Sequence, residues 1–111
     1  MSTKNVLITE DDKSWRGRLS RGFSRAGVDP DVASNYDEAV KFANSKSYEL
    51  CVLDSLEGDC FPLRDELLSL NPNSRVVIFT GNIATYSGAS SKGIEAYRKP
   101  GELNKLFKLV K

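Results

Sequence analysis

The chain has 111 residues, 40% hydrophobic and 28% charged, with sixteen basic against fifteen acidic side chains and a net charge of +1. One globular domain over 1–111 is expected; a disordered chain, or a basic field aimed at nucleic acid or an anionic membrane, does not fit this balance. The sequence has no histidine, which removes Ser–His and Cys–His triads, histidine-bound zinc and a histidine pH switch.

Met1–Asn5 is polar rather than a secretory apolar stretch, and no run approaches the roughly eighteen apolar residues of a bilayer span. A cytoplasmic chain with no membrane attachment is the expectation. Val6-Leu7-Ile8 then reads as a short strand buried on both faces, the habit of parallel sheets. Trp15, Leu19, Phe23 and Ala26 recur at helical spacing beside Arg16, Arg18, Arg21 and Arg25, and Gly27 supplies a stop. Val28–Ala33 contains Pro30 and so reads as an edge strand. Ser34 with Asp37 resembles a capping box opening a helix over Tyr36–Ser45, with Ala39, Val40, Phe42 and Ala43 facing inward.

Leu50–Leu53 is the next strand, carrying Cys51 as a buried apolar group, and Cys60 is expected in a loop as an exposed thiol. Pro62 begins a helix through Leu63, Leu67, Leu68 and Leu70, ended by Asn71-Pro72. Val76–Phe79 is a further strand. Gly81–Gly93 holds three Gly and three Ser in thirteen residues, so a short or mobile helix is expected there. Ala96-Tyr97 is a weaker strand, and Leu103, Leu106, Phe107 and Val110 stripe a last short helix. Strand and helix thus alternate five times. This calls for a five-stranded parallel sheet with helices on both faces, in the flavodoxin-like order 2-1-3-4-5, with a shortened fourth helix region.

In such a sheet, ligands bind beyond the carboxyl ends of the strands. Glu10, Asp11 and Asp12 follow the first strand, Asp54 the third, Thr80 the fourth, and Arg98 and Lys99 the fifth. Each alone reads as structural: a helix N-terminus, a cap, a turn, a solvated charge. Their joint placement at successive strand ends points to one site. Glu10, Asp11 and Asp54 in one crevice would repel at about 4 kcal/mol per pair at ~4 Å, unless pKa values rise or a cation binds. A hard divalent ion such as Mg²⁺ suits these oxygens, and Lys99 with Thr80 would clamp a phosphoryl group carried on Asp54, the central carboxylate. No GxxxxGK[ST] or GxGxxG occurs, and the acidic turn after the first strand disfavours a free phosphate or nucleotide.

At these residues the sequence resembles a response-regulator receiver domain of two-component signalling. The likeness rests on VLITEDD at Val6–Asp12, LCVLD at Leu50–Asp54, VVIFTG at Val76–Gly81 and Lys99-Pro100, and it covers essentially the whole chain. A narrower stretch, TGNIAT at Thr80–Thr85 with Leu56-Glu57-Gly58, is similar to RegA/PrrA-type redox-responsive regulators, whose DNA-binding effector is not expected within these 111 residues. The resemblance implies that Asp54 accepts phosphate from a histidine kinase or phosphotransfer protein and that an output protein reads the change. It implies Mg²⁺ on Glu10, Asp11, Asp54 and the Leu56 backbone carbonyl, with Thr80 and Lys99 on the phosphoryl oxygens. Gly81 leaves room for them, Leu56 and Asn82 tune phosphate lifetime, and Tyr97 is the aromatic switch, two residues before the lysine where the family has three. No enzyme in the ordinary sense is implied, beyond self-phosphorylation from phosphodonors and autodephosphorylation. No direct nucleic-acid or membrane binding is expected. The abbreviated loops motivate one alternative, a pseudo-receiver interaction module that does not use phosphate.

Overall fold

In the computed structural model, which describes residues 5–110, five short strands line up side by side: β1 (Val6–Thr9), β2 (Asp31–Ala33), β3 (Leu50–Leu53), β4 (Arg75–Thr80) and β5 (Ala96–Arg98). All neighbours run parallel, in the order β2-β1-β3-β4-β5. Every residue of β1 and β3 is buried, as their unbroken apolar runs require when helices cover both faces. Residues 1–4 and 111, the ends of the expected 1–111 domain, lie outside the described residues.

Five helices alternate with the strands: α1 (Lys13–Arg25), α2 (Tyr36–Ser45), α3 (Cys60–Leu70), α4 (Ile83–Ser91) and α5 (Leu103–Phe107), the last continued by a 3-10 turn over Lys108–Val110. Alternation of side chains along each strand divides the core. Val6, Ile8, Val52, Val77 and Phe79 meet Leu19 and Phe23 of α1 and Leu106 of α5. Leu7, Cys51, Leu53 and Ile78 meet Ala39 of α2, Leu63 and Leu67 of α3, and Ala89 of α4. α1 and α5 approach closely because residue 22 is glycine: a Cβ there would fall 1.9 Å from the Phe107 ring.

Local signals differ from expectation in three places. The cap of α2 is Asn35, whose Oδ1 accepts from Glu38 N–H at 2.9 Å, while Glu38 accepts in return from the Ser34 N–H and hydroxyl; the box is shifted one residue from the Ser34–Asp37 reading. α3 starts at Cys60, two residues before Pro62, because a first-turn proline gives up an N–H that has no helical partner. Cys60 is therefore not an exposed loop thiol. Its side chain is fully buried, and burial pushes the thiol up to about 11. Cys51 is buried as expected, with its thiol pushed up to about 12 by the same cause.

The Gly/Ser-rich segment forms α4, nine residues opened by Asn82, whose Oδ1 accepts from Thr85 N–H at 2.9 Å. β2 lies at the sheet edge, as expected, but it starts at Asp31, so Pro30 precedes the strand instead of interrupting it; Asp31 accepts from the Tyr48 hydroxyl at 2.6 Å and pairs with Lys46 at 3.2 Å. Among the described residues, no helix is long and apolar enough to cross a membrane.

Candidate functional site

The sheet carries its hydrogen bonding one step past β1, β3 and β5, and that step sets the site. Glu10 N–H donates to the Ala33 carbonyl at 3.0 Å, Asp54 N–H to Thr9 at 2.9 Å, and Lys99 N–H to Thr80 at 2.9 Å. Three residues from three strand ends are thereby fixed at one crest. The Lys99 ammonium lies 2.7 Å from Glu10 Oε1 and 2.7 Å from Asp54 Oδ1. Glu10, Asp11 and Asp54 each offer a carboxylate oxygen, all within 4.8 Å of one another.

Burial makes these contacts matter. Glu10 is 2% exposed, Asp54 8%, and the Lys99 side chain 10%. Burial pushes Glu10 up to about 7; the Lys99 hydrogen bond opposes the rise and the charge of Asp54 adds to it. Asp11 is also raised, by partial burial and by the hydrogen bond and charge of Asp54. Asp54 goes the other way. Burial pushes it up, but the Lys99 hydrogen bond and charge, helped by Asp11 and the Leu56 N–H, carry it below its ordinary value. Burial lowers Lys99 and both carboxylates outweigh that, so its ammonium is held charged. The centre thus holds an ionised Asp54 beside a fixed cation, with acidic charge that one lysine does not neutralise.

Asp12 is separate from this group. It caps α1, its Oδ1 accepting from Ser14 N–H at 2.8 Å and Trp15 N–H at 3.3 Å, which is the plain helix-terminus role its sequence position allows. Thr80 is buried at the end of β4, and its Oγ1 accepts from Asn82 N–H at 3.0 Å, leaving the hydroxyl proton free to donate elsewhere. Gly81 is exposed next to Lys99; a Cβ there would rest 3.6 Å from Lys99 Cβ, at ordinary contact. Leu56 meets Asp54 through its N–H, 3.4 Å from Oδ2, and its carbonyl accepts from Asp59 N–H at 3.0 Å. Leu56 and Glu57 both hold positive φ, 49° and 55°, a left-handed interruption within the turn over Leu56–Gly58.

Tyr97 faces the α1/α5 side of the sheet while Ala96 faces the other, as strand alternation dictates. Its hydroxyl donates to Glu95, which also accepts from the Arg75 guanidinium at 2.9 and 2.7 Å. Two contacts escaped sequence reasoning. The Arg16 guanidinium donates to the Glu10 carbonyl at 2.9 Å, and the Lys99 ammonium lies over the Trp15 ring at 5.1 Å. Trp15 stands one helical turn after Asp11, so its nearness to the acids was legible; its meeting with a residue on β5 was not.

No family model matches the chain. It is 28% identical over 105 residues to the photosynthetic apparatus regulatory protein RegA of Rhodovulum sulfidophilum, covering 90% of this chain and 57% of that protein. An NtrX-like response regulator of Rickettsia felis is 30% identical over 118 residues, with all of this chain covered but 25% of the relative. The chain therefore spans about half or less of the length of these curated relatives. A crystal structure of a response regulator from Burkholderia pseudomallei, holding a phosphorylated aspartic acid, calcium and citrate, superposes with a TM-score of 0.81 at 32% identity, over 97% of this chain and 66% of that one. A fold, a sequence likeness and a set of strand-end residues that agree in this way identify the chain as a receiver domain of the response-regulator family.

Proposed function

We propose that this domain accepts a phosphoryl group on Asp54 from a histidine kinase or phosphotransfer protein and passes the change to an output protein. The observation that carries the reading is the Lys99 ammonium, 2.7 Å from Asp54 and from Glu10 at the crest of the sheet. The response regulator of Burkholderia pseudomallei, with its phosphorylated aspartic acid, supports the same chemistry.

Asp54, kept ionised by Lys99, is the nucleophile. A carboxylate oxygen forms a bond to phosphorus as the bond from phosphorus to the donor's nitrogen breaks, and the leaving imidazole takes up a proton. Lys99 neutralises charge on the transferring oxygens. Thr80, with its hydroxyl proton free, donates to one of them, and Gly81 leaves that side of Lys99 uncrowded. The donor set fits Mg²⁺: three hard oxygens within 4.8 Å, excess negative charge, and a Glu10 raised by burial. Glu10, Asp11 and Asp54 would hold the ion together with the Leu56 carbonyl, which keeps a second lone pair beside the one that accepts from Asp59 N–H. Bound there, Mg²⁺ supplies charge neutralisation to the phosphoryl oxygens.

Tyr97 remains the proposed aromatic switch and Asn82 a tuning residue, the first tied to Glu95 and the second capping α4. Small phosphodonors would label the domain without a kinase, and water would release the group again. The setting we assign is the cytoplasm, where the free Cys51 and Cys60 would stay reduced. Intact mass spectrometry tests the reading. With Mg²⁺ and acetyl phosphate, the chain is expected to gain one phosphoryl group, and Asp54→Ala none. Equal labelling of both, or of neither, would remove Asp54 from the role.

A further inference from the structure

Lys99 carries a flexible four-carbon stem, and hydrogen bonds to Glu10 and Asp54 use two of its three N–H groups. The rest of the ammonium faces aromatic rings: Trp15 at 5.1 Å and Phe79 at 5.7 Å from their centroids. Both distances fall within the range at which a ring's negative face attracts a cation. The two rings brace each other edge to face, 5.4 Å apart at 83°. The Trp15 ring also carries the Arg18 guanidinium of its own helix at 4.1 Å, while the Trp15 backbone N–H donates to the Asp12 cap and anchors that turn of α1. The indole is only half-buried, which a side chain needed for core volume alone would not require.

We propose that Trp15 is a positioning residue for the phosphoryl chemistry, its ring holding the Lys99 ammonium between Glu10 and Asp54. This rests on the phosphoacceptor reading above. Without the ring, the lysine keeps its two carboxylates but spreads over more rotamers, so the cation is present for a smaller share of encounters with the donor. The effect belongs to the π face and not to bulk, so another aromatic retains it and an aliphatic of similar burial does not.

The test compares the wild-type chain, Trp15→Phe and Trp15→Leu in acetyl phosphate with Mg²⁺, following the rate of mass gain, with thermal melts confirming that each variant is folded. Trp15→Phe is expected within about twofold of wild type and Trp15→Leu roughly fivefold slower. In a second measurement, Lys99→Met is expected to shift the emission of Trp15, the chain's one tryptophan, because a cation leaves its face. Wild-type rates for Trp15→Leu, equal slowing in both Trp15 variants, or unchanged emission in Lys99→Met would each overturn the inference. A wild-type chain that gains no mass overturns the phosphoacceptor reading and this inference with it, whereas a labelled wild type matched by Trp15→Leu overturns this inference alone.

Discussion

Lys99 pairs with two of the three clustered carboxylates, Glu10 and Asp54, and most of the site's energetics follow from that imbalance. Removing it leaves Glu10 and Asp54 buried without their cation, so Lys99→Met is expected to cost about 3 kcal/mol in metal-free buffer. Urea unfolding with and without Mg²⁺ checks this: the ion should recover much of the loss, and an unchanged midpoint in metal-free buffer would contradict the ion pairing. The pH dependence has a definite sign. Glu10, raised to about 7, binds more protons folded than unfolded, so its contribution is greatest at low pH and falls as pH rises through about 7. Asp54 is depressed, so its contribution is lost only as pH falls below the ordinary carboxylate range. The metal-free chain should therefore be most stable near pH 5 and melt lower at pH 8 by roughly 5 °C, a drop that Mg²⁺ suppresses. That Glu10, Asp11, Asp54 and Lys99 come together was legible from residue type and strand-end position. The division of labour was not: Asp12 caps a helix while Asp11 beside it joins the cluster, a difference made by which way each side chain leaves the turn.

At the scale of elements, two glycines carry opposite expectations. Gly22 lets α1 lie against α5, and a methyl group there would collide with Phe107, so Gly22→Ala should destabilise by about 1–3 kcal/mol. Gly88 sits inside α4 with Phe61 3.7 Å from a built Cβ, at ordinary contact, so Gly88→Ala should stabilise by roughly 0.5–1 kcal/mol through helix propensity. Chemical denaturation of both variants reads the two signs directly. The glycines and serines of α4 argued for a short or mobile helix; an Asn82 cap and a buried Ala89 hold nine residues, fewer than in α1, α2 or α3. The loop after β3 shows a limit of local signals. Two successive residues with positive φ, Leu56 and Glu57, are non-glycine, and no turn rule applied to this stretch would have chosen them. That loop leads directly into Cys60, which explains why a cysteine expected in a loop is buried at a helix start.

The whole molecule is one sheet with a core on each face, and the sheet is a wall shared by both. Phe23 is fully buried on the α1/α5 side, so Phe23→Ala is expected to cost about 3–5 kcal/mol, a large share of typical domain stability. Circular dichroism and Trp15 fluorescence should still report one coincident transition, because neither core survives without the sheet; separate transitions would mean the faces unfold independently. The sequence by itself determined the alternation of strands and helices, the edge position of β2 and the set of residues crowning the strands. Short β-branched runs, glycine stops and caps are local signals, and a parallel sheet leaves little choice of where its carboxyl ends point. Only the tertiary structure decided that Trp15 meets Lys99, that Tyr97 turns toward α1 and α5, that the Leu56 carbonyl bonds Asp59, and that Cys60 is sealed in. Those facts depend on strand register, on the φ of one turn and on distances between side chains remote along the chain, none of which hydrophobic periodicity encodes.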